Sequence, residues 1–396
     1  MKILFLTNVL PYPPYSGGVI KSYNLIDFLS KCSDLSLISL LKNDDAEHEA
    51  KFREKFRFNK YYSKAVNIER TSINFFKSIV CNKTLNLYRN FDKEVKEKID
   101  EFIPKHDIIF VDHYEMFQYI PANCEKKVVF HEHNAEFIMW KRFSEVSSNF
   151  VKKKILHFES KRIVRAELKY CQRADIIFAA PNDQLELINM GANKEKFKTT
   201  YHLGNDENLK LPKLNYSDTD ESLLYVGTLT WEANIDGLIW FIDNIWGNLT
   251  EQFPNLKFNI IGKNPDIRLI KIKAKYKNII LHGFVEDLNE FYRMSRVFVV
   301  PQRFGSGIKV KILDAMYRGI PCVTTSIGVE GLQIKNGKEL MIADDEQNFA
   351  KYVAELLTDK ILWENLNTNS RKLAADKYTW QKMLEEHFKD MEKVIN

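Results

Sequence analysis

Pro301-Gln302-Arg303-Phe304-Gly305-Ser306-Gly307-Ile308-Lys309-Val310-Lys311-Ile312-Leu313-Asp314-Ala315-Met316 follows directly on the apolar run Arg296 to Val300. A strand, a Gly-Ser-Gly turn and a helix start in that order belong at the carboxyl edge of a doubly wound parallel sheet, where such sheets bind ligands. The first turn of a helix carries unpaired N–H donors and the positive end of the dipole, so cations ordinarily favour the other end. Lys309 and Lys311 in the opening turns, with Arg303 just ahead, therefore make sense opposite a polyanion; the plainer alternative is a solvated basic patch. Asp314, five residues after Lys309, offers a carboxylate to two vicinal hydroxyls, or to Lys311 three residues earlier.

Working outward, strand-like runs alternate with helical periodicity in both halves of the chain. The second half contains Leu223 to Val226, Lys257 to Ile261, Asn278 to His282, Arg296 to Val300 and Ile320 to Thr325. Between the first two, Ile235, Leu238, Ile239, Ile242, Ile245, Trp246 and Leu249 fall on one helical stripe. The first half contains Lys2 to Thr7, Leu35 to Leu41, Asp107 to Val111, Lys126 to Phe130 and Asp175 to Ala180, and their nearly continuous apolar character suits strands buried on both faces. Val19, Tyr23 and Ile26 mark a helix after the first of them. Such alternation predicts βαβ units with right-handed crossovers. The polar stretch Lys213 to Glu221 places a boundary near residues 205–220, giving domains at 1–210 and 211–379 with a last helix, 380–396, returning to the first.

The 396 residues suit two domains of about 200 each, with 45% hydrophobic residues and a net charge of only +5 from 58 basic and 53 acidic side chains. That balance allows anionic ligands without calling for nucleic acid. Five scattered cysteines with no C-x-x-C pair read as reduced thiols, and the apolar start Ile3 to Leu6 reads as a buried strand and not a leader peptide. No apolar run reaches the roughly 18 residues of a membrane span, so a cytoplasmic protein is expected, with the inner face of the membrane as its place of contact. Residues 51–91 mix basic and aromatic residues (Phe52, Phe56, Phe58, Tyr61, Tyr62, Phe75, Phe76) and read as an inserted helical pair with core aromatics or as a peripheral membrane contact.

In the first half, Gly17-Gly18 opens the helix after the first strand, where bare N–H groups admit a ligand. The motif G-x-G-x-x-G is absent, which argues against a dehydrogenase-type dinucleotide site. His131 and His133 follow the strand Lys126 to Phe130; two residues apart on extended chain, their imidazoles point to one side. They read as catalytic groups, as structural histidines bonded to loop backbone, or as the start of a zinc site, though no Cys or third His lies nearby in sequence.

Residues 305–332, Gly-Ser-Gly-Ile-Lys-Val-Lys-Ile-Leu-Asp-Ala-Met-Tyr-Arg-Gly-Ile-Pro-Cys-Val-Thr-Thr-Ser-Ile-Gly-Val-Glu-Gly-Leu, strongly resemble the nucleotide-binding segment of group 1 (family 4) retaining glycosyltransferases. Tyr225 to Gly237 (YVGTLTWEANIDG) resembles the opening of their C-terminal domain, and His282 to Leu288 (HGFVEDL) their base-binding loop. Gly17-Gly18 and His131 to Glu136 (HEHNAE) match more loosely. The resemblance implies an α/β protein of the GT-B fold: two facing Rossmann-like domains, each with a parallel sheet, and a C-terminal helix crossing back to the N-terminal domain. It implies that Arg303, Lys309 and Lys311 hold a diphosphate and Asp314 a ribose, with Gly305, Ser306 and Gly307 also binding the donor. Phe284 and Val285 would frame the base, while Val329, Glu330, Gly331, Leu332 and Thr228 would line the donor pocket.

On the acceptor side it implies Gly17, Gly18 and His113, and it puts a histidine, His133 ahead of His131, beside the reacting sugar. Two departures stand out. The paired glutamates of many relatives are Ser306 and Asp314 here, and an Arg and a Lys after the first C-domain strand are Thr228 and Asn234. The implied reaction moves a hexose-type sugar from a nucleotide diphosphate-sugar to a glycan, glycolipid or glycoprotein acceptor. Glycosyltransferases that hold diphosphate through a divalent ion use an Asp-x-Asp pair, and none stands at a strand end here, so no metal or cofactor is expected. A nucleotide-sugar epimerase or hydrolase, or a non-catalytic nucleotide-sugar-binding partner, fits the same architecture.

Overall fold

The computed structural model describes residues 1–14, 17–42, 45–146, 149–305 and 308–395. It divides into two compact units, Met1–Tyr201 with Met383–Asn396, and His202–Lys382.

The first unit is built on seven parallel strands, β1 (Lys2–Thr7), β2 (Asp34–Leu41), β3 (Lys60–Ala65), β4 (Ile108–Asp112), β5 (Lys127–His131), β6 (Ile176–Ala179) and β7 (Phe197–Thr199), in the order β3-β2-β1-β4-β5-β6-β7. The central strands are apolar along their length because helices cover both faces; Ile3 to Thr7 and Ile108 to Asp112 are all buried. Phe5 and Phe110 stack across β1 and β4 with centroids 4.8 Å apart.

The second unit repeats the topology with six strands, β8 (Asp220–Val226), β9 (Lys257–Ile261), β10 (Ile279–Gly283), β11 (Ser295–Val300), β12 (Cys322–Thr324) and β13 (Met341–Ile342), in the order β10-β9-β8-β11-β12-β13. Trp246, Phe241, Phe258 and Phe349 are fully buried in its core. The stripe expected from Ile235 to Leu249 is present, but the helix Glu232–Phe241 widens into a π-helical turn at Ile242–Trp246 before Gly247–Gln252 completes it.

In each sheet the strand order reverses once, between β1 and β4 and between β8 and β11. Those two switch points are where open α/β sheets bind ligands. The stretch 202–210 packs with the second unit, since Trp380 donates from its indole to Gly204 O at 3.0 Å and from its backbone N–H to Asp206 Oδ2 at 2.8 Å. The last helix, Trp380–Ile395, starts in that unit and joins the first from Met383 onward, where His387 stacks on Phe178 at 4.0 Å and Phe388 meets Phe28 edge-on.

Residues 51–91 are not a simple helical pair. They contain the end of the helix Ala46–Lys55, the strand β3 and the helices Ser72–Val80 and Leu85–Arg89. Phe52 and Phe56 are core and Phe58, Tyr61 and Tyr62 half-buried, so the later part of this segment is the part that turns aromatic surface outward, at Phe76 and Phe91. β3 was hidden in the sequence because an edge strand such as KYYSKA lacks the two-sided apolar character of its neighbours.

Candidate active site

At the β1–β4 switch point of the first unit, one carboxylate gathers a ring of side chains. Asp112, the last residue of β4, is fully buried. Its Oδ1 accepts from His131 Nδ1 and from His133 Nε2, both at 2.7 Å. Its Oδ2 accepts from Ser22 Oγ at 2.6 Å and from Thr7 Oγ1 at 3.2 Å. His113 Nδ1 lies 3.1 Å from the same Oδ2, an ion-pair contact without hydrogen-bond alignment. His113 reaches it from a left-handed backbone conformation (φ 77°), a strain of the sort that clusters at functional sites. Its ring stacks on His133 with centroids 3.7 Å apart and planes 6° from parallel. A Cβ built on Gly18 would lie 3.5 Å from His133 Nδ1, so that nitrogen faces the first turn of the helix Gly17–Cys32.

The electrostatics divide the three imidazoles. Burial works against a charge on Asp112, but His133 and His113 beside it outweigh burial and hold the carboxyl well below its usual range. Burial also opposes a proton on His113, and the Asp112 carboxylate overrides it and raises that pKa. Burial and the neighbouring His113 push His133 down to about 3, while burial, His133 and Lys21 push His131 well below its usual value. His113 is thus the imidazole best able to carry a proton. Since a carboxylate only accepts, His133 donates from Nε2 and keeps Nδ1 as a lone-pair acceptor facing Gly18. Behind this ring, burial pushes Lys21 down to about 8 and, together with Glu167, raises Glu132 well above a normal carboxylic acid.

One nitrogen each from His113 and His133 and an oxygen of Asp112 lie within 4.8 Å of one another. The third histidine that sequence spacing lacked is therefore supplied by the end of β4. The residues nevertheless suit a metal ion poorly. Two imidazoles sharing an ion converge on it within their ring planes, whereas these planes are parallel and stacked, and His133 Nε2 is spent on Asp112.

The second unit places cations at its own switch point. Lys309 caps the helix Val310–Arg318, is buried, and has its Nζ 3.6 Å from Glu330 Oε2, which brings the 329–332 turn to the helix start. Lys311 reaches back beneath β8: its Nζ donates to Tyr225 Oη at 2.8 Å and to Asn234 Oδ1 at 2.9 Å. Burial, then the charge of Lys309, pushes its pKa down to about 7. Gly305 holds φ 124°, open to glycine and strained for other residues, while Ser306 and Gly307 lie outside the described residues.

Other expected positions are not gathered with the lysines. Arg303 is half exposed and forms a two-point pair with Asp236 at 2.9 and 2.6 Å. Asp314 does not pair with Lys311. Its Oδ1 accepts Asn205 N–H at 3.3 Å, and a Cβ on Gly204 would meet that oxygen at 2.2 Å, so only glycine fits there. The contact takes up part of the accepting capacity that a sugar hydroxyl would use. Burial raises this carboxyl to about 6. Phe284 is exposed after β10, with the Lys263 ammonium 4.1 Å over its ring; Val285 beside it is half-buried. Thr228 is exposed, its carbonyl accepting from Asn234 Nδ2 at 2.8 Å. Val329, Gly331 and Leu332 are half-buried in the turn after β12, where Leu332 N–H donates to Val329 O.

Asp112, Ser22, Thr7 and Lys21 were missed from the sequence. The strand-end rule had the reach to find Asp112, since it stands next to His113 at the carboxyl edge of an apolar strand. Ser22 and Lys21 carried no signal beyond their place on the helix after Gly17-Gly18.

Residues 220–359, the greater part of the second unit, match the family described as glycosyl transferases group 1. Along almost its whole length the chain is similar to an uncharacterized 44.6 kDa protein in the cps region of Klebsiella pneumoniae, with 23% identity over 98% of this chain and 99% of that one. It is 24% identical, over 38% of its own length and 43% of the relative's, to a UDP-Gal:alpha-D-GlcNAc-diphosphoundecaprenol alpha-1,3-galactosyltransferase of Escherichia coli. In three dimensions it is similar to Anabaena HepE, solved in complex with UDP, at a TM-score of 0.67 with 14% identity, covering 99% of this chain and 100% of that one. Residues 220–359 are a group 1 glycosyl transferase domain, and the chain that carries them is a glycosyltransferase of the GT-B fold.

Proposed function

We propose that this glycosyltransferase moves a hexose-type sugar from a nucleoside diphosphate-sugar to a glycan, glycolipid or glycoprotein acceptor, with retention at the anomeric carbon and without a metal ion. The observation that carries this reading is the pair of lysines at the start of the helix Val310–Arg318, Lys309 buried and Lys311 half-buried with a lowered pKa. The resemblance implies a lysine in many relatives where this chain has Asn234, and here the Lys311 ammonium reaches the Asn234 side chain from the opposite helix. With Lys309 and the N–H groups of that helix turn, it would neutralise the diphosphate as it leaves. Arg303 would join after releasing Asp236, Asp314 would take a ribose hydroxyl on its second oxygen, and Phe284 with Val285 would frame the base.

In the reaction, the bond between the anomeric carbon and the diphosphate oxygen breaks while the acceptor oxygen bonds to the same face. The acceptor's proton passes to the departing phosphate. His133 Nδ1 would accept a hydroxyl of the transferred sugar and stabilise charge developing on the ring; Gly17, Gly18 and His113 would border the acceptor. The stacked His113–His133 pair and the committed Nε2 of His133 support metal independence. HepE was solved with UDP and the E. coli relative is named for a UDP-sugar and a lipid-diphosphate acceptor, so UDP-sugars and lipid-linked glycans are the first to try.

The test is a thermal-shift screen of nucleotide sugars, followed by transfer assays on the donors that stabilise the protein. Product with the donor's anomeric configuration, formed equally in EDTA, supports the proposal. Free nucleoside diphosphate released without acceptor points to a hydrolase, and tight donor binding with no turnover points to a binding partner.

A further inference from the structure

We propose that the outer faces of the helices Ser72–Val80 and Phe150–Arg173 form a docking surface for an anionic lipid bilayer. Both helices belong to the first unit and both are inverted in polarity for part of their length. On the short helix Ile73, Phe76 and Val80 recur at i, i+3 and i+7 and are each about two-thirds exposed (69, 66 and 71%), while Ser78 is buried. On the long helix Phe150, Val151, Ile155 and Phe158 form a second exposed stripe over its first turns. Clusters of exposed apolar side chains on neighbouring elements mark an interaction site, where single ones do not.

The two stripes are held together. The Arg162 guanidinium, from the middle of the long helix, donates to Ser78 O at 3.2 Å and also to Lys83 O, and it lies 5.6 Å over the Phe158 ring. Glu159 fixes the same corner, one oxygen pairing with Arg162 at 2.7 Å and the other accepting Leu85 N–H. The long helix is thereby clamped against the end of the short one, so the stripes belong to one rigid corner of the unit.

Charge selects the occupant. From Arg70 to Phe91 there are four Lys/Arg and no acid; from Asn149 to Lys169 there are seven, with Glu159 and Glu167 as the only acids, both fully buried. The whole chain has a net charge of +5, so everything outside these two segments is net acidic. Lys152, Lys153 and Lys154 follow directly on the exposed Phe150-Val151, and Lys154 Nζ lies 4.4 Å over the Phe150 ring. Interleaved aromatic and ammonium groups suit the boundary between acyl chains and anionic headgroups, where the rings enter and the charges stay with phosphate. A second copy of this chain would bring the same positive charge against itself. Among the described residues no helix is long and apolar enough to cross a membrane, so the contact would be made at the surface.

The test is co-sedimentation of the full chain with vesicles of phosphatidylglycerol and phosphatidylcholine, and with phosphatidylcholine alone. We expect binding to the anionic vesicles, weakened by salt, and little to the neutral ones. Lys152→Glu, Lys153→Glu and Lys154→Glu together should lower the partition coefficient about ten-fold or more. Phe76→Ser with Phe150→Ser should lower it as well, at low salt, with thermal melting and nucleoside diphosphate affinity unchanged in both variants. Absence of binding to anionic vesicles overturns the proposal, as does binding that neither variant alters. A self-association that the Phe76→Ser, Phe150→Ser variant abolishes, without vesicle binding, overturns it in favour of a second copy.

Discussion

The switch points of the two sheets occupy the same place in the same topology and hold opposite chemistry. Between β1 and β4 an anion, Asp112, sits at the centre and neutral or cationic imidazoles surround it. Between β8 and β11 the centre is a cation, Lys311, surrounded by the hydroxyl of Tyr225 and the amide of Asn234. The first arrangement uses up its charge internally and leaves a lone pair on His133 Nδ1 facing Gly18. The second holds a half-buried ammonium that has no counter-charge in contact among the described residues, at the cost of a lowered pKa. A site closed on itself is suited to orienting a neutral sugar hydroxyl; a site holding uncompensated positive charge is suited to an anion. Topology chose the two places, and the residues on the strand ends and following helices chose what each would hold.

The comparison breaks most visibly at His133. His133→Ala should lower kcat about 100- to 1,000-fold, the scale of a positioned catalytic group, while affinity for a nucleoside diphosphate stays within about two-fold. Steady-state kinetics beside calorimetric titration of the diphosphate separates the two, and equal losses in both would end the division of labour. Asp112→Asn is next. It keeps the shape but presents an amide to donors that need an acceptor, and we expect kcat lower by about 10- to 100-fold, with stability lower by about 1–3 kcal/mol. A merely structural Asp112 would lose stability alone, so the pH–rate profile is the deciding readout: it should move in Asp112→Asn and not in a distant variant of equal stability.

In the second unit, Lys311→Met should weaken nucleoside diphosphate binding by about 1.5–3 kcal/mol, the range for a charged hydrogen bond. The same lysine predicts a pH dependence. With a free-state pKa of about 7, Lys311 is already protonated at lower pH and binding needs no proton uptake. Above that value the free enzyme must gain a proton to bind the anion, so affinity should fall as pH rises from 7 to 9. Calorimetry across that range should show the slope in the native protein and a flatter line in Lys311→Met.

The smallest effect belongs to Arg303, half exposed and already paired with Asp236. Arg303→Ala should cost under about 1 kcal/mol of diphosphate affinity, as exposed ion pairs do. A loss as large as that of Lys311→Met would show that Arg303 gives up Asp236 at almost no cost when it binds the ligand.

Much of this was legible before any coordinates. β1, β2, β4, β5 and β6 in the first sheet and β8 to β12 in the second announce themselves as apolar runs, because strands covered on both faces cannot hide their composition. The Gly-Ser-Gly turn with Lys309 and Lys311 stood out because cations at a helix start contradict the dipole. β3, β7 and β13 did not stand out. β3 is a half-exposed edge, and β7 and β13 have three and two residues, too few for a periodicity to register.

What the chain determined by itself, then, is the alternation, the two sheets and the chemical type of each candidate group, since these follow from local composition and spacing. Only the folded structure decided partners. It turned Asp112 from a strand-end acid into the hub of three histidines drawn from two strands, brought Lys311 to Asn234 across 77 positions of sequence, and engaged Asp314 with the backbone of Asn205. Hydrogen bonds act over about 3 Å and depend on direction. Which donors and acceptors come that close is set by how strands and helices pack, which residue order alone does not express.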